Sequence, residues 1–85
     1  TRRLHFYSRL DVRGMMAEEA LQEVSRCLDD AFMTGAGRLE ILHGTGTGVL
    51  KTEIRKFLKN VPGVVSFQDE HIERGGAGIT IVLLE

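Results

Sequence analysis

Cysteine, net charge and long apolar runs are what this 85-residue sequence has least of, and each shortage closes off a class of protein. The lone cysteine, Cys27, cannot form an intramolecular disulfide, and no Cys/His spacing resembles a zinc site. No apolar run approaches the roughly 18 residues of a membrane span, and no signal-peptide pattern is visible. The expected setting is therefore a reducing cytoplasm, with no membrane partner. Eleven basic against twelve acidic residues leave a net charge of -1, which argues against a chain wrapped in nucleic acid while leaving a local basic face open. Internal repeats, linkers and low-complexity tracts are missing too. A chain of this length buries about 60–65% of its unfolded surface, enough for one modest core. Thr1 stands where a whole protein would begin with methionine, so a piece of a longer protein is expected.

The apolar pattern that is present changes period along the chain. Leu10 and Val12 alternate with Asp11 and Arg13 and stop at Gly14, which reads as a short strand running into a loop; Leu4 and Phe6 extend the alternation upstream. Over residues 16–34, Ala17, Ala20, Leu21, Val24, Leu28, Ala31 and Phe32 recur at helical spacing. Glu18 and Glu19 suit the first turn of that helix and Gly35 and Gly37 its end, although no capping side chain precedes it. Leu39, Ile41 and Leu42 predict a second strand. Leu50, Ile54, Phe57, Leu58 and Val61 predict a second helix over about residues 48–59, closed by Asn60, Pro62 and Gly63. Residues 64–67 and 79–84 predict two further strands around a polar loop. The last, ITIVLL, is nearly all apolar and belongs in the middle of a sheet, antiparallel to its neighbours, with the first strand at an edge. The expected fold is α/β, a two-layer sandwich in the order β-α-β-α-β-β with a four-stranded mixed sheet. One face of that sheet is expected to be partly uncovered.

Between the second strand and the second helix lies HGTGTGVLKT, residues 43–52. As a dinucleotide fingerprint it fails: Gly44 and Gly46 fit, but Val49 holds the third glycine site, and Lys51 holds it when the frame starts at Gly46. As a Walker loop it also fails, because Leu50 precedes Lys51 and Thr52. What remains is a glycine turn opening a helix, whose amides attract anions, beside a row formed by Lys51, Arg55 and Lys59. The plainer reading is that Gly44, Gly46 and Gly48 only permit the turn and that Thr47 caps the helix. His43 is either a strand-end imidazole bonded to a carbonyl or a titratable group of a site. Because parallel neighbouring strands end on one rim, Asp11 and Arg13 are expected to meet His43 there; the plain alternative is a solvated ion pair. Asp69, Glu70 and His71 read as a solvated loop, and Cys27 as a small packed side chain.

LDVRG at 10–14, an EEAL helix start at 18–21, HGTGTGVLKTEIRKFL at 43–58 and GGAGITIVLL at 75–84 together resemble the Smr, or small MutS-related, domain. The likeness runs from Leu10 to the end, with residues 1–9 as a lead-in, and the LDxRG form is similar to that at the C-terminus of the second bacterial MutS paralogue. The resemblance implies the same two-layer sandwich, nucleic-acid binding, and nicking of DNA or cleavage of RNA in many members. Carried over by position, Asp11 and His43 are catalytic candidates with Arg13, while Gly44, Thr45, Gly46, Thr47 and Gly48 would hold phosphate with Lys51, Arg55 and Lys59. Arg13 stands where many members have histidine, which removes one general-base candidate. No cofactor is evident, and a divalent ion, Mg or Mn, at Asp11 is left open: one carboxylate is a poor site for a hard ion, and Glu40 points away if Ile41 points inward. Partners implied are DNA or RNA, the ATPase domains of a parent chain, and the ribosome. The runner-up is a non-catalytic nucleic-acid or ribosome-binding module.

Overall fold

A computed structural model of the chain describes residues 7–85; the upstream alternation at Leu4 and Phe6 lies outside them. The order is β1 (Tyr7–Asp11), α1 (Ala17–Thr34), β2 (Arg38–Leu42), α2 (Val49–Leu58), β3 (Val64–Asp69), two short 3-10 turns (Ile72–Arg74 and Gly76–Gly78) and β4 (Ile79–Leu84). The strands lie in the order β1-β2-β4-β3. β1 and β2 are parallel, and β4 runs antiparallel to both β2 and β3. The expected architecture, with an apolar last strand inside the sheet and β1 at an edge, is the one observed.

Both crossovers advance the same way across the sheet, so the right-handed rule puts α1 and α2 on one face. There Val24, Leu28 and Ala31 of α1 and Ile54 and Leu58 of α2 close over Leu39, Ile41, Val82 and Leu84. Alternation sends the other β2 and β4 side chains to the opposite face: Arg38 beside Leu83, Glu40 beside Ile81, and Leu42 beside Ile79. No helix among the described residues covers that face. Arg38 spans it, with Nη2 3.4 Å from Glu40 and 3.5 Å from Glu70.

Four details differ from the sequence reading. β3 runs on to Asp69, which pairs with Thr80 of β4, so Asp69 is a strand residue and not part of the solvated loop. β1 stops at Asp11, because the Asp11 carboxylate takes the Arg13 amide at 3.1 Å and turns the chain; Val12 still donates to the Leu42 carbonyl at 2.9 Å. α2 is capped by Gly48 at φ 82° rather than by Thr47, whose hydroxyl lies 3.4 Å from the Val49 amide, at the limit of a hydrogen bond. The loop before β4 contains the two 3-10 turns, and His71 caps the first through Nδ1 accepting from the Glu73 amide. α1 lacks a side-chain cap at Met16 and ends on left-handed Gly35, as its sequence implies.

Gly63 ties the end of α2 to α1. Its φ is +94°, and a Cβ there would lie 2.7 Å from Cε1 of Phe32. Gly14 has a similar φ of +84° but nothing within 4 Å of such a Cβ. Gly14→Ala should therefore carry only the left-handed backbone cost, about 1–2 kcal/mol. Gly63→Ala adds overpacking worth about 1–3 kcal/mol more. Urea unfolding of the two variants should separate them in that order.

Candidate functional site

Two parallel strands and one antiparallel strand bring three sequence-distant segments to one rim. Asp11 ends β1 opposite Leu42, which ends β2, and Ile79, which begins β4, pairs with Leu42 from the other side. The loop after β2 is then pinned to the segment before β4. The His43 and Gly44 amides both donate to the Gly78 carbonyl, at 3.1 and 3.0 Å. A Cβ on Gly78 would lie 3.7 Å from the Gly44 Cα, an ordinary van der Waals contact between the two segments.

On the rim, Asp11 and Arg13 form a bidentate pair. Arg13 Nε donates to Oδ1 at 2.9 Å and Nη2 to Oδ2 at 2.7 Å. Both side chains are exposed, so the pair adds little stability, but the two-point geometry fixes the guanidinium plane. These hydrogen bonds from the Arg13 side chain and amide lower the Asp11 pKa to about 2. The stem of Arg13 passes Gly44, with Cγ 3.7 Å from where a Gly44 Cβ would be. Arg13 thus reaches the glycine loop, as the sequence reading anticipated.

His43 reaches the rim differently. Its residue is only 6% exposed and its ring turns under the loop, toward the helices. Nδ1 lies 2.8 Å from the Gly44 carbonyl oxygen and Nε2 2.7 Å from the Thr80 hydroxyl. Both ring nitrogens are engaged, and neither engages Asp11 or Arg13. The structure brings His43 to the same loop but does not bring its imidazole to the exposed carboxylate.

The cationic row divides. Lys51 Nζ and Arg55 Nη2 converge on Asp69 Oδ1 at 2.9 and 2.7 Å. One carboxylate thus answers two cations and leaves one net positive charge beside the loop. Arg55 faces inward, its guanidinium carbon 5.5 Å from the Phe67 ring centre and its Nε 3.2 Å from Thr80 Oγ1. Lys59 caps the far end of α2, eight residues and so about 12 Å along the axis from Lys51, and stands apart from the rim.

Two hollows flank the loop. One, of about 380 Å³, lies between the start of α1 and the start of α2, with Gly14, Met16, Gly46, Thr47 and Lys51 among its lining. The other, of about 260 Å³, is bounded by Arg13, Gly44, Thr45, Gly75, Gly78 and Ile79. Arg13 borders one and Lys51 the other, with Gly44 and Thr45 lining both, so an extended anion crossing the loop would meet a cation on each side. The first-turn amides of α2 open near the first hollow, with no acidic residue in that turn. The donor set does not make a cage for a hard dication. Both Asp11 oxygens already accept from Arg13, Glu40 lies on the helix-free face against Arg38, and no three His, Cys, Asp or Glu side chains gather among the described residues.

Sequence reasoning did not single out Thr80, Asp69 as the partner of Lys51 and Arg55, or Gly78 as the anchor of the loop. One signal was available, since Thr80 is the only polar residue inside ITIVLL.

Burial first, then Arg55 and Lys51, hold the His43 pKa below its ordinary 6.5, against the opposing pull of the Gly44 carbonyl and Asp69. The folded chain therefore takes up this proton at lower pH than the unfolded chain. His43 contributes stability that is complete above about pH 6.5 and is lost as pH falls toward the folded-state value. The urea midpoint should fall as pH drops from 7 toward 5, and His43→Gln should flatten that slope.

The Smr domain family matches residues 10–85. Curated relatives called endonuclease MutS2 are 51% identical over 75 residues in Caldanaerobacter subterraneus subsp. tengcongensis and 47% over 76 residues in Helicobacter pylori. These matches cover 88% and 89% of this chain but 10% of each relative, so the chain spans about a tenth of their length. Among solved structures, the Smr domain of Thermus thermophilus MutS2 superposes with a TM-score of 0.89 at 41% identity, covering 92% of this chain and 98% of that one. YdaL, a stand-alone small MutS-related protein from Escherichia coli, gives 0.87 at 20% identity over 93% and 67%, a likeness of fold. With the three motif blocks assembled on one rim of this sandwich, the chain belongs to the Smr domain family.

Proposed function

We propose that this domain grips a nucleic-acid phosphate between Arg13 and the glycine loop and hydrolyses the phosphodiester there, as the nuclease module of a longer, MutS-like ATPase chain. The observation that carries this reading is Arg13, its guanidinium held by Asp11 and its stem laid past Gly44 of the glycine loop. A phosphorane-like transition state gathers negative charge on its equatorial oxygens, and a fixed guanidinium with backbone amides opposes that charge without reorganising. With a pKa of about 2, Asp11 is a weak base, so its role in this reading is to orient Arg13 and the attacking water. Water oxygen bonds to phosphorus, the P–O bond to the leaving alkoxide breaks, and the water proton passes to solvent while the alkoxide takes one back. Relatives named endonuclease MutS2 support the reaction class, and DNA or RNA, in repair, recombination or at a ribosome, are its candidate settings.

A second reading is favoured by the His43 ring, whose two nitrogens are both engaged. On that reading the rim binds nucleic acid or a ribosome without cutting, and delivers the parent chain to it.

Supercoiled plasmid and structured RNA, each with and without chelator, distinguish the readings. The nuclease reading expects nicking or cleavage by the wild-type domain and a loss of about 100-fold or more in Asp11→Ala and Arg13→Ala. Loss of activity with chelator would add a substrate-bridged divalent ion to the site. Intact substrates in every arm leave the binding reading, in which Arg13→Ala weakens binding and reduces the salt slope by about 1, and Asp11→Ala leaves affinity near that of wild type.

A further inference from the structure

Thr80 is the one hydroxyl in an otherwise apolar central strand, and it is 0% exposed. A buried hydroxyl is costly unless bonded, and three polar atoms meet it: Arg55 Nε at 3.2 Å, Arg55 Nη2 at 3.0 Å and His43 Nε2 at 2.7 Å. Their roles are forced. A guanidinium only donates, so the Thr80 oxygen accepts from Arg55 and its single proton can go only to His43 Nε2. Nε2 is then the acceptor nitrogen and Nδ1 carries the ring proton, which it donates to the Gly44 carbonyl at 2.8 Å. Asp69 anchors the outer end by accepting from Arg55 at 2.7 Å. The result is a one-way chain of donors running from α2 through β4 into the loop.

The chain has a consequence at its last link. A trans peptide points its carbonyl and its N–H in opposite directions. With the Gly44 carbonyl turned in toward His43, the Thr45 N–H of the same peptide turns away from the ring; Thr45 lines both hollows, and Arg13 lines the smaller one and passes Gly44. That N–H has no acceptor among the described residues. Gly44 accepts the required φ of +80° without a Cβ penalty.

We propose that Thr80 and Arg55 are positioning residues which, through the tautomer of His43, aim the Thr45 amide at the substrate phosphate next to Arg13. This deepens the proposed function and rests on it, since it assigns the second donor of that phosphate site and the buried groups that hold it. His43 is here a fixed strut, carrying no proton to the reaction. The groups facing its ring are Arg55 and Lys51 from α2, Asp69 from β3 and Thr80 from β4.

Nitrogen-15 spectra of the wild-type domain test the chain without any variant: His43 should show the neutral form protonated at Nδ1, at pH 7. A proton on Nε2 overturns the proposal. Titration with inorganic phosphate should move the Thr45 amide resonance in wild type and Thr80→Ser, and much less in Thr80→Val; an unmoved Thr45 amide in wild type overturns it. In the plasmid assay Thr80→Val should lose at least tenfold in kcat with KM within about twofold, while Thr80→Ser keeps the hydroxyl and most of the rate. Equal losses in the two variants overturn the positioning role. If Thr80→Val does not fold, the tautomer and phosphate arms still decide. If wild type leaves every nucleic acid intact, the nuclease reading falls on that result alone, and the same two arms still judge the chain from Arg55 to Thr45.

Discussion

The insertion of β4 between β2 and β3 is the constraint on which the rest of the molecule depends. It reverses the direction of the chain in the middle of an otherwise parallel set of strands. That reversal places the start of β4, rather than its end, at the rim where β1 and β2 finish. Gly78 then offers its carbonyl to two amides of the glycine loop, and Thr80 comes under His43. With β4 at an edge, the loop would be held only at its two ends.

The site combines two kinds of electrostatics. On the surface, Asp11 and Arg13 are exposed and screened by water, and what they gain from each other is orientation more than energy. Under the loop, Thr80 is fully buried and His43 nearly so, where a lost partner would leave a desolvated polar group. The buried set therefore resists rearrangement while the exposed set can exchange partners with an incoming anion. Lys51 and Arg55 show the same division: Arg55 points inward to Thr80 and Phe67, and Lys51 shares the carboxylate at the boundary and borders the larger hollow.

Much of the fold was legible because it rests on periodicity. The switch from alternation at Leu10 and Val12 to helical spacing from Ala17 onward, and the nearly continuous apolar run of β4, each report burial directly. The rim was legible in part. Asp11 and Arg13 lie two residues apart on a strand end, so their pairing is local. The orientation of His43 was not, since Nε2 depends on a hydroxyl 37 residues away, and the destination of Arg55 depends on one 25 residues away. Thr47 failed as a cap for a local reason: left-handed Gly48 takes that position and moves the hydroxyl out of good range.

By itself, then, the sequence determined which segments are strands and helices, which strand is central and which residues gather at one end of the sheet, because these follow from alternation, handedness and glycine. Only the tertiary structure decided which cations remain at the loop and what the two ring nitrogens of His43 meet. Those choices are made by donor and acceptor counts at Thr80 and Asp69, and such counts close only when α2, β3 and β4 are packed together.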